Sequence, residues 1–220
     1  FTINQLTEFF NKLDSIQLSF KQKDAIVGTY LNIVLRSLKL IPLEQEELDQ
    51  LLKILQKSLK SAFYLTFIKI CEILQYLFSN YESSIDLITS MEVLESSWDF
   101  ITGDRLILNQ KKMHLTFIET IYHPVLIKDT INNEYNGKIL KRVGLEIIEL
   151  SYTRRSLLPC LSKAILQYSL GYKAEFEETK WIMEVLYKLV KIVQDDSNLF
   201  RIKNVLCDKF NKEVSFEGDL

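Results

Sequence analysis

The 220-residue chain is poor in glycine, proline and histidine. Six Gly and three Pro leave little material for tight turns, which favours long helices over a β-sandwich. The two histidines, His114 and His123, have no Cys or Glu companion at ligand spacing. A metal site needs three or four converging ligands, so none is assigned. Both histidines are interpreted as partly exposed residues on helix surfaces.

Cysteine pairs, catalytic motifs and long apolar runs are also missing. Cys71, Cys160 and Cys207 form no Cys-x-x-Cys pair, and we expect buried free thiols in a reducing compartment. The sequence has no Gly-x-Ser-x-Gly elbow and no glycine-rich phosphate loop, so no catalytic residue and no cofactor is assigned to this segment. The sequence contains no run of about 18 uncharged apolar residues, which is the length needed to cross a bilayer. We expect the protein to lie in the cytoplasm, and the nucleus is the alternative location.

What the sequence does contain is helical periodicity, most legibly over residues 136–172. The first half of this stretch has apolar residues at the 3,4,3 spacing of one helical face. These residues are Leu140, Val143, Ile147 and Leu150, widened by Ile139 and Ile148. A second helix is predicted from Ser156, and the short turn between the two helices contains Arg154 and Arg155. Such a hairpin needs neighbours, because it cannot bury both of its faces.

The same hairpin recurs along the chain. Hairpins are predicted to begin near residues 3, 43, 84, 136 and 177, a period of about 40 residues that is typical of HEAT and armadillo arrays. We therefore predict an all-α fold, an irregular α-solenoid of HEAT/armadillo-like hairpins that forms a single segment over residues 1–220. A globular helical bundle is the alternative architecture.

The first residue is Phe1 rather than Met, and the segment is interpreted as a fragment of a longer protein. In an array, flanking repeats of the same chain would pack against its ends. We therefore expect apolar residues to be exposed at both ends. They are Phe9, Phe10 and Leu13 at one end and Leu206 and Phe210 at the other.

Local signals predict several helix boundaries. A helix is expected over residues 20–38. It carries Ile26, Tyr30, Ile33, Val34 and Leu38. Pro42 is predicted to occupy the first position of the next helix, as its missing N–H allows. Ser83 or Ser84 is predicted to cap a later helix, and Pro124 to close the one after that.

Charge is unevenly distributed within a net charge of −2. Residues 42–103 contain four Lys/Arg and ten Asp/Glu, a balance of −6, whereas residues 104–165 contain ten and six, a balance of +4. A local positive field can attract phosphates. The RNA-binding prediction comprises Lys138, Lys141, Arg142, Arg154, Arg155 and Lys163. The alternative is a solvated face, in which Arg142 pairs with Glu146 four residues later.

One run carries a family resemblance. WDFITGDRLILNQKKMHLTFIETIYHP, over residues 98–124, resembles the helical-repeat region of large eukaryotic SpoU-type tRNA guanosine 2′-O-methyltransferases, and the similarity extends to about residue 170. In that family the helical region precedes a knotted domain that binds S-adenosylmethionine. The resemblance implies a tRNA-holding or scaffolding role, and it carries over no catalytic residue because no catalytic motif is matched.

Two functions of different classes follow. The first is a non-catalytic scaffold segment that binds tRNA or other RNA within a tRNA 2′-O-ribose methyltransferase. The second is a protein–protein interaction scaffold of the HEAT/armadillo type with no nucleic-acid role. A helical array suits either function, because its extended surface can hold RNA or a partner helix.

Overall fold

The computed structural model describes residues 3–59, 64–82, 84–102, 110–129 and 133–151, with Leu157, Leu161, Val185 and Lys188. Every regular element in these ranges is an α-helix, which confirms the all-α prediction. The helices are α1 (Ile3–Asp14), α2 (Phe20–Leu38), α3 (Gln45–Leu59), α4 (Tyr64–Asn80), α5 (Leu87–Thr102), α6 (Gln110–Ile121), α7 (Pro124–Asp129) and α8 (Glu134–Ser151). The chain divides into two compact units, Phe1–Asp129 and Thr130–Leu220.

Helices of the N-terminal unit pack mainly on helices two places away in the chain. α2 packs against α4 and α4 against α6, while α1 packs against α3 and α3 against α5. Contacts of α3 with α4 and of α5 with α6 join these two series. The helices α1, α3 and α5 begin at Ile3, Gln45 and Leu87, at intervals of 42 residues. This interval agrees with the period of about 40 residues read from the sequence.

A buried carboxylate on α2 caps the N-terminus of α4. Asp24 Oδ2 accepts a hydrogen bond from the Leu65 N–H and Asp24 Oδ1 accepts one from the Thr66 N–H, both at 2.9 Å. These N–H groups belong to the first turn of α4, where no intrahelical acceptor exists. The negative charge also complements the positive end of the helix dipole. Asp24 therefore has the role of an N-cap residue for α4, although it lies about 40 residues before that helix in the sequence.

Gly28 allows α2 and α4 to approach each other closely beside the Asp24 cap. A Cβ at Gly28 would lie 2.8 Å from Leu65 Cβ and 3.2 Å from the Leu65 carbonyl carbon. Gly28 and Asp24 are one helical turn apart, so the close approach and the cap reinforce each other. The glycine costs helix propensity but permits this contact.

The other ends of the same two helices are also joined. The Tyr76 hydroxyl, near the end of α4, donates to the Leu38 carbonyl at the end of α2 over 2.8 Å. The Tyr81 hydroxyl accepts from the Leu43 N–H at 3.0 Å. Since N-terminus meets N-terminus and C-terminus meets C-terminus, α2 and α4 run in the same direction.

His114 lies in an aromatic core between α5 and α6. Trp98 is fully buried, with its ring 5.1 Å from that of Phe117 and 6.1 Å from that of His114. The His114 side chain is itself fully buried, so the prediction of a partly exposed surface histidine is wrong for this residue. Its helical position faces Trp98, and the aromatic packing buries it.

The bounds of α2 confirm the predicted helix over residues 20–38, but its inward face was partly misassigned. Ile26 and Ile33 are 40% and 50% exposed, whereas Val27 and Leu31 are buried. The helix has apolar residues on two faces, and periodicity alone cannot tell which face meets α4. Ser19 and Gln22 form a capping box at its start, which satisfies two terminal N–H groups.

Three predicted helix boundaries also need correction. Asp86 caps α5, since its Oδ1 accepts from the Ile88 and Thr89 N–H groups at 3.0 and 3.1 Å. Ser84 does not have this role, and Ser83 lies outside the described residues. Pro124 begins α7 rather than closing α6, which ends at Ile121. Pro42 precedes α3 by three residues. Each proline fits its position because no helical hydrogen bond from a backbone N–H is needed there.

The expected exposure of Phe9, Phe10 and Leu13 is also incorrect. Phe10 and Leu13 are buried, and Phe9 is half-buried because its ring stacks on Tyr30 with centroids 3.8 Å apart. Leu206 and Phe210 lie outside the described residues.

In the C-terminal unit, α8 buries the face that the sequence predicts. Ile139, Leu140, Val143, Ile147 and Ile148 are buried, as their 3,4 spacing requires. Leu150 is half-exposed near the end of the helix. The amphipathic reading of this helix is confirmed.

Cys71 on α4 is a free, buried thiol, as predicted. Burial raises the pKa of Cys71 to about 12, because the thiolate cannot be solvated there. Cys160 and Cys207 lie outside the described residues.

His123 occupies the break between α6 and α7. Its Nε2 lies 3.3 Å from Ser79 Oγ, and its Nδ1 accepts from the Val125 N–H at 3.4 Å. Burial lowers the pKa of His123, while the charge of Glu82 acts in the opposite direction. The fold therefore favours the neutral imidazole.

We expect Asp24→Asn to destabilise the chain by about 1–3 kcal/mol, because the amide offers one acceptor where two N–H groups need one. Chemical denaturation measures the loss. Asp49→Asn is the matched control, since Asp49 accepts a bond from the Gln45 side chain in an exposed position on α3. Equal stability of the two variants would contradict a capping role for Asp24.

Gly28→Ala should also destabilise, by about 1–3 kcal/mol, because the new methyl group overlaps Leu65. Alanine is the better helix former by about 1 kcal/mol, so a packing clash and helix propensity predict opposite signs. Thr29→Ala, one residue along on the exposed side of α2, controls for propensity. A Gly28→Ala variant more stable than the parent in denaturant melts would refute the close contact.

The lowered pKa of His123 predicts that the free energy of unfolding depends on pH. Its folded pKa lies below the usual value of about 6.5, so the unfolded chain binds the proton more readily. Its contribution is complete above about pH 6.5 and is lost as pH falls through the folded pKa, by at most about 1.4 kcal/mol per pH unit. His123→Gln should flatten the fall between about pH 7 and pH 5 in denaturation experiments. An unchanged pH profile would exclude this contribution.

Candidate nucleic-acid interface

The charged residues of α8 form a stripe away from its buried face. Glu134, Lys138, Arg142 and Glu146 follow one another at intervals of four residues, which places them above one another on the helix surface. Lys138 and Arg142 are exposed, and Lys141 beside them is half-exposed. The structure thus brings three of the six predicted RNA-binding residues together within about one helical turn.

Two of these cations form ion pairs within their own helix. Lys138 Nζ lies 2.8 Å from Glu134 Oε1, and Arg142 Nε lies 3.9 Å from Glu146 Oε1. The hydrogen bond from Lys138, together with its charge, lowers the pKa of Glu134. The pairing of Arg142 with Glu146 is the arrangement expected of a solvated face.

Such pairs leave the cations able to change partners. Exposed ion pairs of this kind contribute about 0–1 kcal/mol, because both charges remain hydrated. A phosphate group can therefore replace a carboxylate at little cost. The formal charges of α8 cancel, because its three cations, Lys138, Lys141 and Arg142, are matched by the carboxylates of Glu134, Glu146 and Glu149.

The remaining predicted residues, Arg154, Arg155 and Lys163, lie outside the described residues. In the N-terminal unit, the cations of the basic stretch 104–165 include Lys112 and Lys128. Lys128 Nζ lies 3.1 Å from Glu82 Oε1, and Lys112 Nζ lies 6.0 Å from the centroid of the Tyr64 ring, within the range of a cation–π contact.

Among the described residues, no group of three or more His, Cys, Asp and Glu side chains is arranged to hold a metal ion. None of the helices described is both long and apolar enough to cross a membrane.

Sequence reasoning missed the residues that join α2 to α4. Asp24 was one acidic residue among many, and Gly28 a glycine inside a helical pattern. The role of Gly28 could have been recognised from the sequence, because an isolated glycine within a helix often has a packing reason. The partner segment around Leu65 and Thr66 could not be identified, since it lies about 40 residues away in the chain.

Comparison with known proteins finds a similar sequence. The tRNA (guanosine(18)-2'-O)-methyltransferase of Saccharomyces cerevisiae is 26% identical over 221 aligned residues, which cover 90% of this chain and 15% of that protein. No protein-family model matches the chain, and no solved structure matches it. The chain is thus similar, over nearly its whole length, to a short portion of that methyltransferase.

Proposed function

We propose that this chain is a non-catalytic helical segment of a protein that takes part in 2′-O-methylation of tRNA, and that it supplies a surface for tRNA. The observation that carries the proposal is the alignment with a tRNA methyltransferase over 90% of this chain. S-adenosylmethionine chemistry then belongs to other parts of the full-length protein, because this sequence has no glycine-rich cofactor loop.

The proposed architecture is a stack of HEAT/armadillo-type hairpins. Support comes from the N-terminal unit, where like helices pack on like helices and recur at 42 residues. That interval lies within the roughly 40–47 residues of such repeats. A stack of this kind suits tRNA because it presents side chains at regular intervals along an extended ligand.

The tRNA surface is proposed to centre on α8 and the basic residues that follow it. Lys138, Lys141 and Arg142 share one side of α8, and Arg154 and Arg155 add two positive charges with no acidic residue between positions 150 and 163. Phosphate contacts position a nucleic acid without reading its sequence. This surface therefore serves to hold tRNA rather than to select a base.

A protein-interaction scaffold is the second candidate function. The observation that favours it is the exposed apolar surface of α2, where Ile26 and Ile33 are 40% and 50% exposed. Apolar surface of this kind suits a protein partner better than a phosphate backbone.

Replacing Arg154 and Arg155 together by Glu should weaken tRNA binding by roughly tenfold or more at low salt and flatten its salt dependence. The reason is that two phosphate contacts and their released counterions are lost. Binding of the 220-residue chain to unmodified tRNA, measured over a salt series by fluorescence anisotropy, gives both quantities.

Lys12→Glu with Lys53→Glu is the matched control, since it changes the net charge equally at exposed positions on α1 and α3. The control should bind tRNA more tightly than the Arg154/Arg155 variant. If both double variants bind with the same affinity, attraction is a property of net charge and no tRNA surface lies at Arg154 and Arg155. The protein-scaffold function then replaces the proposal.

A further inference from the structure

α2 carries an apolar stripe on its exposed side. Ile26, Ile33 and Leu40, which lies just beyond the end of the helix, are 40%, 50% and 83% exposed. The seven-residue spacing places Ile26 and Ile33 on one side of α2, as in the seam of a helix pair, and Leu40 continues the same spacing in the turn after the helix. Scattered single apolar residues are ordinary at a surface, but a repeating stripe of three has the pattern of a packing face.

This stripe lies opposite the side of α2 that meets α4. Asp24 contacts the start of α4, and Ile33 follows Asp24 by nine residues, about two and a half helical turns. Phe9 of α1 stacks at the edge of the stripe, on Tyr30. α2 therefore has one apolar side packed on a parallel helix and a second apolar side toward solvent.

The exposed or half-exposed charged residues of the segment that carries the stripe are basic. Between Ser19 and Leu43 the charged residues are Lys21, Lys23, Asp24, Arg36 and Lys39. Asp24 is buried and its carboxylate caps α4. Lys23 precedes Ile26 by three residues and Arg36 follows Ile33 by three, which makes each a surface neighbour of the stripe.

We propose that the Ile26–Ile33–Leu40 stripe is a docking site for an amphipathic helix of a partner protein, with apolar residues at heptad spacing and acidic residues on both flanks. The apolar residues would extend the helix packing that α2 already makes with α4. The acidic flanks would complement Lys23 and Arg36. This site is distinct from the proposed tRNA surface and does not depend on it.

Two other occupants fit less well. A second copy of α2 would bring identical basic flanks together, which opposes self-pairing. RNA would meet a row of isoleucine and leucine side chains, which offer neither a stacking plane nor hydrogen bonds to bases.

The test uses a fluorescein-labelled synthetic helix of roughly 20 residues, the length of α2, with leucine at heptad spacing and glutamate on both flanks. Its binding to the 220-residue chain is measured by anisotropy. Ile33→Glu should weaken binding by about tenfold or more, through lost apolar contact and added repulsion. Ile88→Glu on α5 is the matched control, because Ile88 is also an isoleucine that is 50% exposed, and it should retain binding within about twofold.

A second peptide with lysine in place of each flanking glutamate separates charge from hydrophobicity. It should bind several-fold more weakly at low salt. Hydrogen exchange of α2 in the unmodified chain, with and without the acidic peptide, provides a readout that needs no variant, and added protection along α2 is expected. Equal binding by the two peptides, equal loss in both isoleucine variants, displacement of the peptide by tRNA, or unchanged exchange in α2 would overturn the proposal.

Discussion

The carboxylate of Asp24 holds the N-terminal unit together at its most constrained point. It is buried, and it accepts two hydrogen bonds from the first turn of α4. An unpaired carboxylate there would be costly, so α4 must begin where its N–H groups reach Asp24. Gly28 sets how closely the helices approach, and the Tyr76 hydroxyl joins their far ends. Because α4 also packs against α3, α6 and α7, its placement orders most of this unit.

The same constraint determines which side of α2 remains exposed. With Asp24 and Gly28 facing α4, Ile26 and Ile33 point the other way, toward solvent. An apolar surface with basic neighbours is thereby presented on one unit. The exposed charges of α8, on the other unit, are arranged as intrahelical pairs around Lys138 and Arg142. The two surfaces differ in chemistry, because the first is apolar with cations beside it and the second is made of paired charges.

Helices could be predicted from the sequence because the relevant interactions are local. The bounds of α2 and the buried face of α8 follow from 3,4 spacing and capping residues. Helix starts were less predictable, since Ser83, Ser84 and Asp86 are all competent caps and backbone geometry selects Asp86. The charged site was predictable in part. Residues at i,i+4 on one helix pair regardless of tertiary context, so the Arg142–Glu146 pair could be anticipated.

Spacing and composition along the chain suffice to predict the all-helical class, the repeat interval of about 40 residues, the face that α8 buries and the reversal of charge along the chain. Only the packing of the helices reveals which of two apolar sides of α2 is buried, that Asp24 caps a helix about 40 residues away, and that His114 is enclosed by Trp98. The physical reason is the range of the interactions. Periodicity and capping act within a few residues, whereas burial and close approach depend on segments that meet only when different helices pack together.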